Sequence, residues 1–114
     1  MQACMSVTFD EVQQFVEAVA EKYGEEDLSG VYAPARGGLI FGVWLSHKLH
    51  IPLVMSPVGN CLIVDDIADT GKTLEKYAGK FPIATMFYHK DCSFVPDFWM
   101  FEKKDEWIIY PWEE

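Results

Sequence analysis

The stretch "IVDDIADTGKT", residues 63–73, carries an apolar run into two adjacent carboxylates, a third at Asp69, and a Thr-Gly-Lys-Thr turn. Carboxylates held side by side raise each other's pKa, so Asp65 and Asp66 are costly neighbours unless they serve a ligand. The residues behind them have the makings of an anion cradle. Backbone N–H groups from Asp69 to Thr73 fall where a helix is expected to open, and the positive end of its dipole favours an anion. Thr70 and Thr73 add hydroxyl donors, and Gly71 permits close backbone approach. Asp65 and Asp66 are suited to accept hydrogen bonds from sugar hydroxyls or to help hold Mg²⁺. A sugar phosphate satisfies all these parts at once. A strand-end turn rich in capping Asp and Thr is the plainer alternative.

Two neighbouring motifs fail. A P-loop, G-x-x-x-x-G-K-[ST], needs its first glycine at position 66, where Asp66 would aim a negative side chain at the phosphates. A phosphoacceptor receiver domain also combines an acid pair with a distant lysine, here Lys90. That arrangement wants the acids early in the chain and an acceptor Asp on a later strand, and neither is present.

The chain as a whole narrows the field. Its 114 residues suit one domain, and with 50% hydrophobic and 15% aromatic residues a packed core is expected. No apolar run approaches the roughly 18–20 residues of a membrane span. The opening residues lack the pattern of an export signal. Cys4, Cys61 and Cys92 form neither a CxxC pair nor an even framework, so a reduced, cytoplasmic location is expected. His47, His50 and His89 have no metal-ligand spacing with them. A net charge of −9 argues against nucleic acid as a partner. It also means that an anionic ligand must be met by local N–H donors or a metal ion.

Along the chain, Thr8 and Glu11 form a capping box ahead of a helix over 8–23, with Val12, Phe15, Val16, Val19 and Ala20 on one face. "VYAPA" (31–35) reads as a short strand, "RGG" (36–38) as a turn, and Leu39–Leu49 as a second helix. "IPLVM" (51–55), "CLIVD" (61–65) and "FPIATMFYH" (81–89) read as strands, with a short helix from Gly71 to about Ala78. Two β-like pieces follow in the aromatic tail. Alternating strands and helices indicate an α/β fold around a mainly parallel sheet, whose ligands bind beyond the carboxyl ends of the strands. Both "ARGG" and "DDIADTGKT" fall at such ends.

"VDDIADTGKTL" resembles the phosphoribosyl-diphosphate (PRPP) signature of type I phosphoribosyltransferases: a hydrophobic run, two acids, then D-T-G-x-T. "VYAPARGGLIFGVWLSHKLHI" is similar to that family's diphosphate loop and following helix, "MFYHKD" to a strand end carrying a purine-contacting lysine, and "VPDFWMFEKKDEWIIYPWEE" to the small hood of its 6-oxopurine members. The resemblance implies one phosphoribosyltransferase domain over 1–114, with a core to about residue 95 and a hood from about 96. It implies transfer of phosphoribose from PRPP to guanine, xanthine or hypoxanthine in purine salvage, with Mg²⁺ as cofactor and a homo-oligomer, a dimer, as the assembly. Ala35, Arg36, Gly37 and Gly38 would hold the diphosphate, with a cis peptide between Ala35 and Arg36. Asp65 and Asp66 would bind ribose hydroxyls and metal, and Asp69 would be the general base near the purine N7. Thr70, Gly71, Lys72 and Thr73 would hold the 5′-phosphate. Lys90 would donate to the purine O6, Trp107 would stack on the base, and the Ile108 backbone would read its other edge. Solvent-facing roles for Lys72 and Lys90, and a packing role for Trp107, stay open.

One departure stands out. The family carries a long excursion with a mobile flap between the two strands before the PRPP loop. Here "SPVGN", Ser56 to Asn60, joins them, and five residues at about 3.5 Å each cannot reach over a site and return. Two readings follow: a minimal purine phosphoribosyltransferase, or a non-catalytic PRPP or nucleotide binder that has lost its flap.

Overall fold

The computed structural model describes residues 3–113; Met1, Gln2 and Glu114, at the ends of the expected domain, lie outside it. In chain order the elements are β1 (Cys4–Ser6), α1 (Phe9–Tyr23), β2 (Gly30–Tyr32), α2 (Leu39–Leu49), β3 (Leu53–Val54), β4 (Cys61–Ala68), β5 (Ile83–Tyr88), β6 (Phe98–Glu102) and β7 (Trp107–Ile109). Strands β3–β2–β4–β5–β6 form one sheet in that order, and every neighbouring pair is parallel. β1 and β7 form a separate parallel pair.

β4 shows why its sequence is apolar on both sides. Leu62 and Val64 point into the core shared with α1 and α2, while Cys61 and Ile63 pack on the opposite face with Leu74 and Ile83. A central parallel strand covered on both faces has no water-facing side to make polar. α1 forms as its capping box directs: the Glu11 N–H donates to Thr8 Oγ1 at 3.1 Å and the Thr8 N–H to Glu11 Oε1 at 3.0 Å. Its face of Val12, Phe15, Val16 and Val19 is fully buried, and Phe15 meets Phe41 of α2 edge-on at 5.5 Å.

The helix–sheet contact is close at one point. A Cβ on Gly42, inside α2, would lie 2.5 Å from Ala33 Cβ and 3.1 Å from Leu53 Cδ1. Gly42→Ala is therefore expected to push α2 off β2 and destabilise the fold by about 1–3 kcal/mol, despite the better helix propensity of alanine. Thermal melting checks this, with a fall of roughly 5–10 °C expected for a chain of this length.

α2 carries the chain from β2 to β3 on one flank, while β4 lies on the other flank of β2. The strand order therefore reverses between β2 and β4, and the crevice for ligands opens at their carboxyl ends.

Several local expectations change. β4 continues to Ala68 because Ile67 and Ala68 pair with Phe87 and Tyr88 of β5, so Asp66, expected just past the strand that ends at Asp65, also belongs to it. The helix expected from Gly71 to Ala78 does not form: Glu75–Tyr77 is a single 3₁₀ turn. Gly71 and Gly79 both take positive φ, and the Lys72 N–H turns back onto Thr70 Oγ1 at 3.3 Å. What remains between them is too short to nucleate a helix. The cradle argument loses its helix dipole. β2 and β3 are shorter than their apolar runs, and β1 had no strand-like run at all. β6, inside the stretch assigned to the hood, is the edge strand of the main sheet. No helix among the described residues is long and apolar enough to cross a membrane.

Candidate active site

Two loops meet at the reversal point. After β2, the Gly38 N–H closes a turn onto Pro34 O at 3.0 Å, and the Ala35–Arg36 peptide is cis. This turn lies directly on the Asp pair. A Cβ on Gly37 would sit 2.6 Å from Asp66 Oδ2, and one on Gly38 would sit 2.8 Å from Val64 O and 3.0 Å from Asp65 Oδ1. Only glycine lets the two backbones approach this far. Arg36 is exposed and lines an open recess of about 760 Å³ with Leu39, Trp112 and Glu113.

Asp65 is buried and Asp66 half-buried, and the Asp66 N–H donates to Asp65 Oδ1 at 2.8 Å. Burial, then the negative charge of Asp66, pushes the Asp65 carboxyl up to about 9. Burial raises Asp66 as well, against a hydrogen bond from protonated Asp65 that favours its charged form. Both carboxyls are thus held above the ordinary carboxylate range. Tyr110 donates its hydroxyl to Asp66 O at 3.1 Å, and burial beside these carboxylates raises its pKa, which keeps it a neutral donor. Two hard oxygen ligands suit Mg²⁺. Among the described residues no group of three or more His, Cys, Asp or Glu could hold a metal, so substrate oxygens or water would complete the shell.

Beyond β4, residues Asp69 to Thr73 wrap a depression of about 180 Å³ whose walls include Asp65, Asp66 and Phe94. Thr70, Lys72 and Thr73 are exposed there and Gly71 is buried. Gly71 has φ +92°, and a Cβ on it would lie within 3.0 Å of the Ser93 backbone N. The Ser93 N–H also donates to Thr70 O at 3.2 Å. The loop after β5 thus buttresses this cradle from behind.

A second recess, about 170 Å³, also reaches Asp69 and is lined by Ile67, Lys103, Trp107, Ile108 and Tyr110, among others. The two recesses share Asp66, Ile67 and Asp69 as their common wall. Trp107 is 60% exposed, which fits a ring awaiting a partner better than a core residue. Lys90, in contrast, is exposed in the turn after β5 and lines neither recess. That turn closes through the Cys92 N–H to His89 O at 2.9 Å, carrying Lys90 outward. The lysine at the recess is Lys103, at the end of β6, with Nζ 3.3 Å from Asp69 Oδ2. Sequence reasoning missed Lys103 and Tyr110. The signal for Lys103 was its place at a strand end, legible only once β6 is set beside β5.

No protein-family model matches the sequence. The crystal structure of a purine phosphoribosyltransferase from Pyrococcus horikoshii superposes with a TM-score of 0.83 and is 33% identical, over 96% of this chain and 94% of that one. The chain belongs to the purine phosphoribosyltransferases of type I. Members of this family are transferases, and the parallel sheet flanked by helices is their fold. A xanthine-guanine phosphoribosyltransferase from Vibrio atlanticus is 27% identical over 134 residues, covering 94% of this chain and 87% of that protein. Those 134 positions exceed the 114 residues here, so the relative has residues inside the aligned region that this phosphoribosyltransferase lacks. The Helicobacter pylori xanthine-guanine-hypoxanthine phosphoribosyltransferase shares the fold, with a TM-score of 0.82 at 16% identity over 99% of this chain and 94% of that one.

Proposed function

We propose that the protein transfers phosphoribose from PRPP to a 6-oxopurine and releases diphosphate. The observation that supports this reading is that the Asp69–Thr73 recess and the Trp107 recess adjoin through Asp66, Ile67 and Asp69. A bond between ribose and base would form where the two recesses meet, beside Asp69.

In this reading the 5′-phosphate sits on Thr70–Thr73, and the ribose hydroxyls donate to Asp65 and Asp66. The turn at Ala35–Gly38 takes the diphosphate with Arg36 and with backbone N–H groups other than that of Gly38, which is bonded to Pro34 O. Asp65 and Asp66 would also hold Mg²⁺, which when bound neutralises charge on the leaving diphosphate. The base lies against Trp107, with its far edge on the Ile108 backbone. As the bond from ribose C1′ to diphosphate breaks, its electron pair leaves with the diphosphate and the N9 lone pair of the purine replaces it. The N7 proton then passes to Asp69. Positive charge on the ribose in between is stabilised by the carboxylates beneath it. The relatives' names, xanthine-guanine and xanthine-guanine-hypoxanthine phosphoribosyltransferase, support an oxopurine as the acceptor. A homodimer remains part of the proposal.

A second reading, a nucleotide binder without turnover, is favoured by one feature. The connection from β3 to β4 ends at Asn60, whose N–H donates to Ser29 Oγ at 3.1 Å at the amino end of β2. It runs away from the site and shields nothing from water, where a closing lid would. Steady-state assays with PRPP, Mg²⁺ and each purine separate the two. Diphosphate release with guanine, xanthine or hypoxanthine is expected, with adenine at least about tenfold poorer. PRPP and GMP that raise the melting temperature without any turnover would establish the binder. If neither shifts melting at millimolar concentration, both readings fall.

A further inference from the structure

We infer that Tyr110 is a positioning residue, whose hydroxyl on the Asp66 carbonyl sets how far the ring proposed to receive the base stands from the carboxylates proposed to hold the ribose. The inference rests on the placement of sugar and base given above and names what keeps the two in register.

The need for such a residue arises at the open edge of β4. β2 pairs with β4 as far as Tyr32 opposite Ile63, and β4 runs on to Ala68. Beyond Ile63 the main-chain groups on that edge need partners from outside the ladder. The Asp66 N–H finds the Asp65 carboxylate, and the Asp66 carbonyl accepts from the Tyr110 hydroxyl at 3.1 Å. Tyr110 directly follows β7, which belongs to the small β1–β7 sheet rather than to the main one. The hydroxyl therefore joins the element that carries Trp107 to the strand that carries both carboxylates.

The core aims the ring. Tyr110 is 4% exposed, stacked on Trp112 at 5.3 Å and met edge-on by Phe41 at 6.0 Å and Phe87 at 6.2 Å. A phenylalanine would fill the same space without burying an oxygen, so the hydroxyl is what tyrosine adds here. Asp66, Trp107 and Tyr110 all line the recess beside Asp69, so the bond lies where sugar and base would meet. A ligand held in both recesses fits one spacing, and an error of about 1 Å in such a junction can cost roughly a hundredfold. A ligand held in the cradle and the diphosphate turn alone does not sense that spacing.

The test measures dissociation constants for GMP and for PRPP with Mg²⁺ by calorimetry in the wild type, Tyr110→Phe and Tyr23→Phe, so it needs no turnover. Tyr23 is the control. It is a second buried tyrosine, its hydroxyl has no hydrogen-bond partner, and it lines none of the three recesses at the site. Losing one hydroxyl leaves every ring contact in place, so both variants fold. Tyr110→Phe is expected to weaken GMP about tenfold and to leave PRPP within about twofold. Tyr23→Phe leaves both ligands as in the wild type. A Tyr110→Phe protein that binds GMP as tightly as the wild type overturns the inference and leaves the transferase reading standing. So does an equal loss of GMP and PRPP, which a simple prop under Asp66 would give, and so does the same split in Tyr23→Phe. Absence of binding by either ligand to the wild type removes the transferase reading itself, and this inference with it.

Discussion

Asp69→Asn is expected to lower kcat/KM for oxopurine transfer by about a hundredfold while PRPP still raises the melting temperature. Asparagine keeps the shape and one acceptor of aspartate but cannot take the N7 proton. Positioned general bases are worth roughly 10²–10⁴ in rate, and the low end fits a group that is 45% exposed in an open site. The substitution also leaves the Lys103 ammonium facing a neutral amide. Base affinity should therefore change together with turnover, whereas the cradle at Thr70–Thr73 is untouched. Steady-state kinetics alongside ligand-induced melting checks both halves. Unchanged turnover would remove Asp69 from proton transfer, and equal loss of the PRPP shift would mark it as a structural support of the loop.

Asp65→Asn is expected to make the ligand-free protein more stable at pH 8 and to flatten its pH dependence. In the folded protein Asp65 holds its proton up to about 9, against an ordinary 3.8. Between those values unfolding releases a proton, so raising the pH favours the unfolded chain. The stability linked to Asp65 is fully present below 3.8 and is lost as pH rises toward 9. One proton gives a limiting slope of about 1.4 kcal/mol per pH unit, so the wild type should weaken as the pH rises from 5 to 8. Asparagine removes the titration and keeps an acceptor for the Asp66 N–H. The variant should in turn lose the melting shift given by PRPP with Mg²⁺. Thermal melting of both proteins from pH 5 to pH 9 decides this, and parallel curves would show that Asp65 carries no excess proton.

Much of this was legible because it is local. The Thr8–Glu11 box and its apolar stripe fix α1 within the span of the helix itself, and Leu39–Leu49 does the same for α2. The Asp pair, the Thr-Gly-Lys-Thr turn and the two-glycine turn are contiguous motifs whose chemistry reads directly from residue type. What escaped depends on pairing between distant segments. β4 outruns its apolar stretch because β5 offers partners as far as Tyr88. β6 joins the main sheet although its aromatic sequence resembled a separate hood. Only that registry brings Lys103 to Asp69, 34 positions away in sequence. The failed helix after Gly71 has a different cause, since one buried residue, Leu74, cannot hold a short segment against two glycines with positive φ.

The pairing of β1 with β7 has a consequence for how the two halves of the site are fastened. Cys4 lies opposite Trp107 and Met5 opposite Ile108, with the Trp107 N–H donating to Ala3 O at 2.8 Å. The strand that carries Trp107, the proposed stacking ring, is thus tied down by β1. Its contacts close a loop of nearly the whole chain, and such closures carry the largest entropic toll and the least kinetic priority. The phosphate cradle, in contrast, hangs from β4 in the middle of the sheet. In the proposed reading, grip on the sugar phosphate is built into the most deeply anchored strand, whereas the ring that stacks on the base sits on a clasp between β1 and β7. The two tasks can therefore loosen independently, which gives base preference a freedom to change that phosphate binding does not have.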